Sequence, residues 1–308
     1  MKSVLAVVGP TATGKSDLGI ALAERLGGEV VNADASQLYR GMDIGTAKVP
    51  ESQRRGIPHH QLDVLDVTDE ASVAAYQGAA RDDIAAIRDR RNHPVLVGGS
   101  GLYVRAALDV LDIPPTDPQT RARLEAEADE LGTAVMFDRL KAADPVAAQA
   151  IEANNTRRIV RALEVIEITG RPFSATMPTR EYVTDTVVVG LRLPREQLDQ
   201  RIEARVRRMW DDGLVEEVRG LDRLGLRQGR TASRALGYAQ ALAELDGTMT
   251  TGQAQEQTMT MTRRFARRQE SWFSSDPRIH WLDATAPDLL ERALTRVTAA
   301  IGDNGAHG

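Results

Sequence analysis

The feature of this sequence that most constrains its fold is an eight-residue loop close to the N-terminus. Residues 9–16 read Gly-Pro-Thr-Ala-Thr-Gly-Lys-Ser and match the pattern G-x-x-x-x-G-K-[ST], known as the P-loop, without a gap. A Val-rich apolar run at residues 3–8 predicts a strand buried on both faces. Residues 15–26 have the apolar spacing of a helix, which Gly27 and Gly28 end. A strand before the loop and a helix after it are the context that the pattern requires.

The chemistry of the loop indicates a site for a diphosphate or polyphosphate group. Glycine lets backbone N–H groups approach phosphate oxygens closely, and the positive end of the following helix attracts the same charge. Lys15 supplies a cation for the terminal phosphate, and the hydroxyl of Ser16 is placed to bind Mg²⁺. The residues predicted to bind diphosphate are Gly9, Pro10, Thr11, Ala12, Thr13, Gly14, Lys15 and Ser16.

Alternating strand and helix patterns beyond the loop predict the fold class. Residues 29–32 and 94–97 are short apolar runs typical of buried strands, and residues 73–90 between them have a helical pattern. This alternation favours an α/β fold with a parallel sheet, in which ligands bind at the carboxyl ends of the strands. Residues 40–70 are predicted to be a loop with short elements.

The Pro-rich segment at residues 113–118 marks a predicted domain boundary. After it, helix-forming residues dominate until a Val-rich run at 186–193, which is predicted to rejoin the sheet. We therefore predict a P-loop core with a parallel sheet, interrupted by a mostly helical insertion and followed by a disordered tail. The predicted segments are 1–114 for the first part of the core, 115–185 for the insertion, 186–300 for the second part of the core, and 301–308 for the tail.

Composition excludes several classes of protein. The sequence has no cysteine, which rules out disulfides, thiol catalysis, Cys-ligated zinc and iron–sulfur clusters. Its net charge of −5 is not that of a strongly basic nucleic-acid binder, although a local basic face remains possible. No apolar stretch approaches the roughly 20 residues of a membrane span. We therefore predict a cytoplasmic protein with no membrane partner.

Asp34 is the carboxylate that the pattern places at the end of a strand. A nucleotide hydrolase usually has a later strand that ends in an Asp near Mg²⁺, whereas the strand at 94–97 ends here in Gly-Gly-Ser-Gly. Facing the P-loop, Asp34 can act as a general base toward an incoming acceptor. A water-mediated Mg²⁺ ligand and a helix cap are the other two interpretations of this residue.

Six blocks of sequence, spread over nearly the whole chain, stand in the order of one known family. They are GPTATGKS at 9–16, DASQLYRGMDIGTAK at 34–48, PHHQLDV at 58–64, LVGGSGLY at 96–103, RRIVRALEV at 157–165 and RRFARRQESWF at 263–273. In these blocks the chain resembles the bacterial tRNA dimethylallyltransferases, also called tRNA isopentenyltransferases. The GMDIGTAK block and the RRQ-x-x-WF block are specific to that family in a way that the P-loop is not.

The resemblance implies a reaction and its partners. Enzymes of this family transfer a dimethylallyl group from dimethylallyl diphosphate to N6 of adenosine 37 in the anticodon loop of tRNA, and diphosphate leaves. The resemblance also implies a monomer that uses Mg²⁺. No water has to be activated in this reaction, which agrees with the missing hydrolase Asp.

The resemblance also assigns roles to residues of this chain. The implied catalytic residues are Asp34, Arg205 and Thr11. The implied tRNA-binding residues are Asp34, Ala35, Ser36, Gln37, Ser100, Arg121, Arg157, Arg158, Ile159, Val160 and Arg161. The chain departs from the family at Ala35, where Ser is usual, so we expect a hydroxyl contact to be shifted or lost there.

Some alternatives stay open on the sequence alone. The arginines of the 263–268 segment can bind RNA phosphates or pair with carboxylates, whereas Trp272 and Phe273 are predicted to belong to the core. A small-molecule P-loop kinase, with ATP as donor and Asp34 as base, is the first alternative function. A non-catalytic RNA-binding protein that retains an inactive P-loop is the second.

Overall fold

A parallel β-sheet forms the centre of the protein, whose computed structural model describes residues 2–176 and 179–305. Within these residues six strands form one sheet in the order β3-β2-β4-β1-β5-β6, and every neighbouring pair is parallel. The strands are β1 Val4–Val8, β2 Gly28–Asn32, β3 His59–His60, β4 His93–Val97, β5 Thr186–Arg192 and β6 Ile279–Asp283. The prediction of an α/β fold with a parallel sheet is confirmed.

Continuous apolar runs form the central strands because both faces of the sheet are covered. Every residue of β1, β2 and β4 is buried. Leu5 of β1 lies opposite Val95 of β4 on one side and Val187 of β5 on the other. Such strands have no polar face, so the sequence shows Val runs and not alternation. The loops that follow β1, β2 and β4 consequently open at one edge of the sheet.

The edge strand β3 lies in the segment that was predicted to be a loop with short elements. It pairs with β2 through only two residues, His59 and His60. A two-residue strand is too short to show a periodic pattern. The buried carboxylate of Glu29 on the neighbouring strand accepts two hydrogen bonds from Arg90, over 3.0 and 2.7 Å, and Nε2 of His60 lies 2.7 Å from it.

Helices surround the sheet and build a second unit. The described α-helices are α1 Lys15–Leu26, α2 Val73–Asp89, α3 Gly101–Leu108, α4 Pro118–Leu131, α5 Thr133–Ala143, α6 Pro145–Ala150, α7 Thr156–Thr169, α8 Arg195–Asp211, α9 Leu214–Arg223, α10 Tyr238–Leu245, α11 Thr251–Ser274 and α12 Leu289–Gly305. Short 3-10 helices occupy Ala35–Leu38, Glu51–Gln53, Phe173–Thr176, Leu226–Gln228 and Ala232–Arg234. None of the described helices combines the length and the apolar character needed to cross a membrane.

The chain divides into two compact units, and the second is the helical segment Asp109–Val183. Its limits differ from the predicted 115–185. The reason is a short antiparallel contact at its base, where the amide of Val110 donates to the carbonyl of Glu181 over 2.7 Å. This pairing assigns the residues before the Pro-rich segment to the helical unit. A buried cluster that includes Leu124, Met136, Leu140, Ile159 and Leu163 forms the core of that unit.

The tail predicted to be disordered at 301–308 overlaps the last helix by five residues. The last helix, α12, runs from Leu289 to Gly305, and residues 306–308 lie outside the described part of the chain. Ala293 and Val297 bury one side of this helix against the core. Once such a helix is nucleated, each added residue gains a backbone hydrogen bond, so it continues past Gly302 to Gly305.

Candidate active site

The glycine loop after β1 has the backbone geometry that its sequence pattern requires. Gly9 has φ of 132° and Gly14 has φ of 89°, and both values disfavour residues with a side chain. A Cβ atom on Gly9 would lie 2.6 Å from the carbonyl oxygen of Leu191 in β5. The loop therefore turns tightly against the neighbouring strand before α1 begins at Lys15. The first amides of α1 have no partners within the helix and point toward the loop.

Lys15 reaches across the loop that precedes it. Its Nζ donates to the carbonyl of Pro10 over 2.6 Å, and the hydroxyl of Thr13 donates to the same oxygen over 2.9 Å. Burial is the main cause that lowers the pKa of Lys15 to about 7; Asp34 acts against it, and Arg205 acts in the same direction as burial. The loop thus holds a lysine that is only partly charged at neutral pH, beside a second cation.

Two helices from the second part of the core meet the loop at one residue, Thr11. Its hydroxyl accepts a hydrogen bond of 3.2 Å from Nη1 of Arg205 on α8. Its backbone amide donates to Oε1 of Gln269 on α11 over 2.9 Å. Burial lowers the pKa of Arg205, but an arginine stays protonated at any physiological pH. Of the residues implied to be catalytic, Thr11 and Arg205 are therefore in direct contact.

Asp34 follows β2 and is held in place by its own neighbourhood. Its Oδ1 accepts from the amide of Ser36 at 3.0 Å, so it caps the short 3-10 helix at Ala35–Leu38. The side chain of Asn32 binds both the amide and the carbonyl of Asp34, each over 3.0 Å. The cap interpretation is thus confirmed, yet a carboxylate has about four acceptor positions and capping occupies one.

The environment of Asp34 favours its protonated form. Burial raises the pKa of its carboxyl, whereas the Ser36 amide and the cations Lys15 and Arg205 act in the opposite direction. Although part of the residue's surface remains accessible, loss of hydration around the carboxyl is the larger effect. A carboxylate whose pKa is raised in this way accepts a proton more readily than an exposed carboxylate of ordinary pKa.

The remaining residues predicted at this edge lie beside Asp34. The amide of Ala35 donates to Oγ of Ser100, which follows β4, over 3.2 Å. The side-chain amide of Gln37 donates to the carbonyl of Thr46 over 3.1 Å. The structure thus brings together the loops after β1, β2 and β4, at the carboxyl edge where parallel sheets bind ligands.

In the helical unit, the predicted tRNA-binding arginines have an unpredicted acidic partner. Glu164, which is fully buried, accepts from Arg121 and from Nη1 of Arg161, the latter over 2.8 Å. Arg161 also donates to the carbonyls of Pro114 and Pro115 over 2.7 and 3.0 Å. Residues 157–161 contain no acidic residue, but Glu164 lies one helical turn farther along α7.

The other predicted residues of α7 divide into two groups. Arg157 and Arg158 are exposed in its first turn. Ile159 and Val160 are buried in the core of the helical unit, so their side chains cannot contact tRNA in this conformation. The assignment of these two side chains to tRNA binding is therefore corrected to a packing role.

In the arginine segment of α11 one side chain lies near a carboxylate and three are exposed. Arg263 lies 3.4 Å from a carboxylate oxygen of Glu203, whereas Arg264, Arg267 and Arg268 are exposed. The prediction that the two aromatic residues belong to the core is confirmed for Phe273, whereas Trp272 is half-buried. Phe273 is buried, and Trp272 packs so closely on α3 that a Cβ atom on Gly101 would lie 2.4 Å from its ring.

Three residues with a part in this geometry were not predicted from the sequence. Gln269 lies inside a block that carried the family resemblance, but nothing local indicates its contact with Thr11. Asn32 ends a predicted strand, where a polar residue two positions before Asp34 is a signal for an Asx-type turn. Glu164 could have been found from its i, i+3 spacing to Arg161 on a predicted helix.

The class of protein follows from three features, which are the parallel sheet, the glycine loop after β1 and the charged side chains around that loop. This is a parallel α/β protein whose glycine loop carries the P-loop sequence pattern. A sequence model described as IPP transferase matches residues 37–276. The chain belongs to the IPP transferase family, as the six sequence blocks predicted.

Relatives and solved structures agree with this assignment. The chain is 61% identical over 288 residues to the tRNA dimethylallyltransferase of Streptomyces avermitilis, covering 94% of this chain and 92% of the relative. The relative of that name in Streptomyces coelicolor is 60% identical with the same coverage. The tRNA isopentenylpyrophosphate transferase of Bacillus halodurans is 37% identical, with a TM-score of 0.72 over 98% of this chain and 96% of that one. A eukaryotic dimethylallyltransferase, whose structure was determined acting on tRNA, is 27% identical, with a TM-score of 0.81 over 99% and 80%.

Proposed function

We propose that this protein transfers a dimethylallyl group from dimethylallyl diphosphate to N6 of adenosine 37 in tRNA and releases diphosphate. Membership of the family and the names of its relatives support the transferase activity. The observation that carries the chemistry is that the glycine loop, which holds Lys15 and contacts Arg205, and the segment that holds Asp34 meet at one edge of the sheet, where Gln269 and Ser100 join them. A proton acceptor and two cations at the same edge suit transfer between an acceptor amine and a phosphorylated donor.

The glycine loop is proposed to hold the leaving diphosphate. As the bond between C1 of the dimethylallyl group and the diphosphate oxygen breaks, negative charge grows on the diphosphate. Preorganised cations and amides stabilise such charge without having to reorganise during the reaction. Arg205, fixed by Thr11, and Lys15, fixed by Pro10, are in place before the donor binds.

Asp34 is proposed to receive the proton that the acceptor amine loses. A new bond forms between N6 of adenosine and C1, and the N6 proton passes to the Asp34 carboxylate. The target base must leave its stacked position to reach this carboxylate, as in other enzymes that act on a base. Gln37, whose amide is both donor and acceptor, and Ser100 lie beside Asp34 and are proposed to contact the adenine.

Mg²⁺ is proposed to bind at Ser16, whose hydroxyl lies in the first turn of α1. Among the described residues no three His, Asp or Glu side chains form a metal cluster. Such a site still suits Mg²⁺, which usually takes one or two protein ligands, several waters and phosphate oxygens of the substrate. When bound, the ion would neutralise part of the diphosphate charge.

The tRNA backbone is proposed to bind exposed arginines of the helical unit, above all Arg157 and Arg158. Arginine contacts with phosphates give affinity without sequence preference and weaken as salt rises. A monomer is proposed as the catalytic unit.

The test of this proposal is a transfer assay with the purified protein, unmodified tRNA, Mg²⁺ and labelled dimethylallyl diphosphate. Label on adenosine 37 is the expected result. A parallel assay follows ATP turnover in the absence of RNA. Consumption of ATP without label in tRNA would overturn the proposal in favour of a small-molecule kinase, and tRNA binding without either reaction would favour a non-catalytic RNA-binding protein.

The lowered pKa of Lys15 predicts that diphosphate binding takes up a proton. The lysine is largely charged below pH 7 and largely neutral above it in the free protein, because its pKa is about 7. A bound diphosphate raises that pKa, so uptake should be small at pH 6 and approach one proton near pH 8.5.

NMR of protein labelled at lysine can measure this titration directly, since the sequence contains only Lys2, Lys15, Lys48 and Lys141. One lysine signal should titrate near pH 7 and move to higher pH when Mg²⁺ and inorganic diphosphate are added. A Lys15→Arg variant assigns that signal by its disappearance. Four lysines that all titrate near pH 10 would contradict the prediction.

A further inference from the structure

The side chain of Gln269 joins two loops that follow different strands of the sheet. Its Oε1 accepts from the amide of Thr11, in the glycine loop after β1, over 2.9 Å. Its Nε2 donates to the carbonyl of Gly99, in the loop after β4, also over 2.9 Å. The residue is only 5% exposed, so both hydrogen bonds are shielded from water. Hydrogen bonds shielded from water are stronger than exposed ones, so they hold the two groups that they join in a narrower range of positions.

The loop after β4 is shaped to receive this amide. A Cβ atom on Gly99 would lie 2.3 Å from Nε2 of Gln269 and 3.3 Å from the carbonyl oxygen of Gly9. Any larger residue at position 99 would therefore displace either the glutamine or the glycine loop. The close approach indicates that the bridge is a built feature of this edge of the sheet.

The bridge continues from Gly99 to the residues around Asp34. The next residue, Ser100, accepts from the amide of Ala35 over 3.2 Å and donates its own amide to the carbonyl of Ala33 at the same distance. Ala33 and Ala35 flank Asp34. A short chain of hydrogen bonds thus runs from Thr11 through Gln269 and the 99–100 backbone to the segment that carries the proposed base.

A primary amide can serve at both ends of this bridge without carrying a charge and at any pH. It accepts on one side and donates on the other, within one plane. A carboxylate cannot donate to the Gly99 carbonyl, and an aliphatic side chain leaves two buried backbone groups unsatisfied. The backbone amide of Thr11 binds Gln269 on α11, and the hydroxyl of Thr11 binds Arg205 on α8. Thr11 therefore anchors the glycine loop to both helices.

We propose that Gln269 is a positioning residue that sets the distance between the diphosphate loop and the Asp34 segment. The expected effect on the rate rests on the proposed function, because in that reaction the distance between the two segments aligns dimethylallyl diphosphate with the acceptor amine. Misplacement of reacting groups by about 1 Å can lower a rate by about 10²-fold. Loss of the bridge should therefore lower kcat by about 10- to 100-fold and change the KM for tRNA little.

Two variants test the bridge. The Gln269→Leu variant keeps the volume but removes both hydrogen bonds, and kcat should fall as stated. In the Gln269→Glu variant a protonated carboxyl can still donate to Gly99 and accept from Thr11, whereas a carboxylate repels the Gly99 carbonyl. The ratio of its kcat to that of the wild type should therefore rise as pH falls from 8 to 6. Lys15 and Asp34 titrate in both proteins and Arg205 stays charged in both, so their effects largely cancel in this ratio.

Gln253, in the first turn of the same helix, provides the matched control. Its side chain accepts from the amide of Thr250 at 2.8 Å and completes a capping box far along the helix from the loop. Gln253→Leu should lower the Tm without lowering kcat, and Gln253→Glu should show a kcat ratio that does not depend on pH. A general loss of helix stability would affect both pairs of variants alike.

Hydrogen exchange at the Thr11 amide gives a readout that needs no activity. Gln269→Leu should remove protection of this amide, and Gln253→Leu should leave it protected. Wild-type protein without transfer activity would refute the proposed function, and exchange would still test the bridge. If Gln269→Leu does not fold, the pH dependence of Gln269→Glu decides. An unchanged kcat in Gln269→Leu, a kcat ratio of Gln269→Glu independent of pH, or unchanged Thr11 protection would overturn this inference.

Discussion

Replacing Asp34 by Asn should lower kcat for transfer by about 10²–10⁴-fold, the usual contribution of a general base. Asn keeps the shape of the side chain and is an equally good helix cap, so the hydrogen bond from the Ser36 amide should survive. Only the proton acceptor is lost. The measurement is single-turnover transfer of labelled dimethylallyl groups to tRNA, with binding of inorganic diphosphate measured beside it and expected to persist.

The control for this substitution is Asp283→Asn. Asp283 also ends a strand, and its Oδ1 accepts from the amide two residues later, that of Thr285, at 2.8 Å. It is exposed and lies on β6, so its replacement should leave transfer unchanged. Equal effects of the two substitutions would contradict the assignment of Asp34 as the base.

The pH dependence of the wild type follows from the same carboxyl. Burial raises the pKa of Asp34, and the reaction needs the deprotonated form, so kcat should fall as pH falls through a pKa above the ordinary range near 3.9. The folded state binds this proton more tightly than the unfolded state, so Asp34 lowers stability as pH rises between the two pKa values. At pH 7 the Asp34→Asn variant should therefore have a higher Tm than the wild type.

Replacing Glu164 by Ala should destabilise the helical unit by about 3 kcal/mol, toward the lower end of the range for breaking a buried ion pair. The carboxylate is fully buried, and its loss leaves Arg121 and Arg161 without their common acceptor. Both arginine side chains keep some contact with solvent, at 33% and 22% exposure, which moderates the effect. The amide of Asp117, which caps α4, also loses its acceptor.

The matched control is Glu167→Ala, one turn farther along α7. Glu167 also pairs with two arginines, Arg123 and Arg139, but its side chain is 31% exposed. Exposed ion pairs contribute about 0–1 kcal/mol, so this variant should differ little from the wild type. Similar losses of unfolding free energy in the two variants would contradict the prediction that burial of Glu164 makes its ion pairs more stabilising.

The measurement must report on the helical unit itself. The tryptophans at positions 210, 272 and 281 all lie outside Asp109–Val183, so their fluorescence does not follow this unit. Hydrogen exchange of its peptides in increasing urea gives its free energy of unfolding directly.

The contribution of Glu164 should also depend on pH. Burial raises the pKa of its carboxyl, but the hydrogen bonds from Arg121 and Arg161 outweigh burial and hold the pKa below its ordinary range. A lowered pKa gives stability that is complete above the unfolded-state pKa near 4.3 and is lost as pH falls through the folded-state pKa. The difference between wild type and Glu164→Ala should therefore be constant at neutral pH and shrink in acid.

Several elements of the fold could be predicted because their signals are local. The Val runs of the central strands, the helix at Lys15–Leu26 and the glycine loop between strand and helix are each visible within a dozen residues. The sequence did not indicate β3, because a strand of two residues is too short to show a pattern. It also did not indicate the end of α12, because that helix continues through a glycine. The boundary of the helical unit was misplaced because a backbone pairing between residues 110 and 181 has no sequence pattern.

By itself the sequence determined the class of fold, the loop that is proposed to hold diphosphate and the family to which the chain belongs, because these depend on residue types at fixed short spacings. The tertiary structure alone decided which side chains complete the active site and which ion pairs form within the helical unit. Gln269 contacts Thr11 across 258 positions of sequence, and Glu164 binds Arg121 across 43. Such contacts arise from the packing of whole helices against a sheet or against one another, so no local pattern of residues records them.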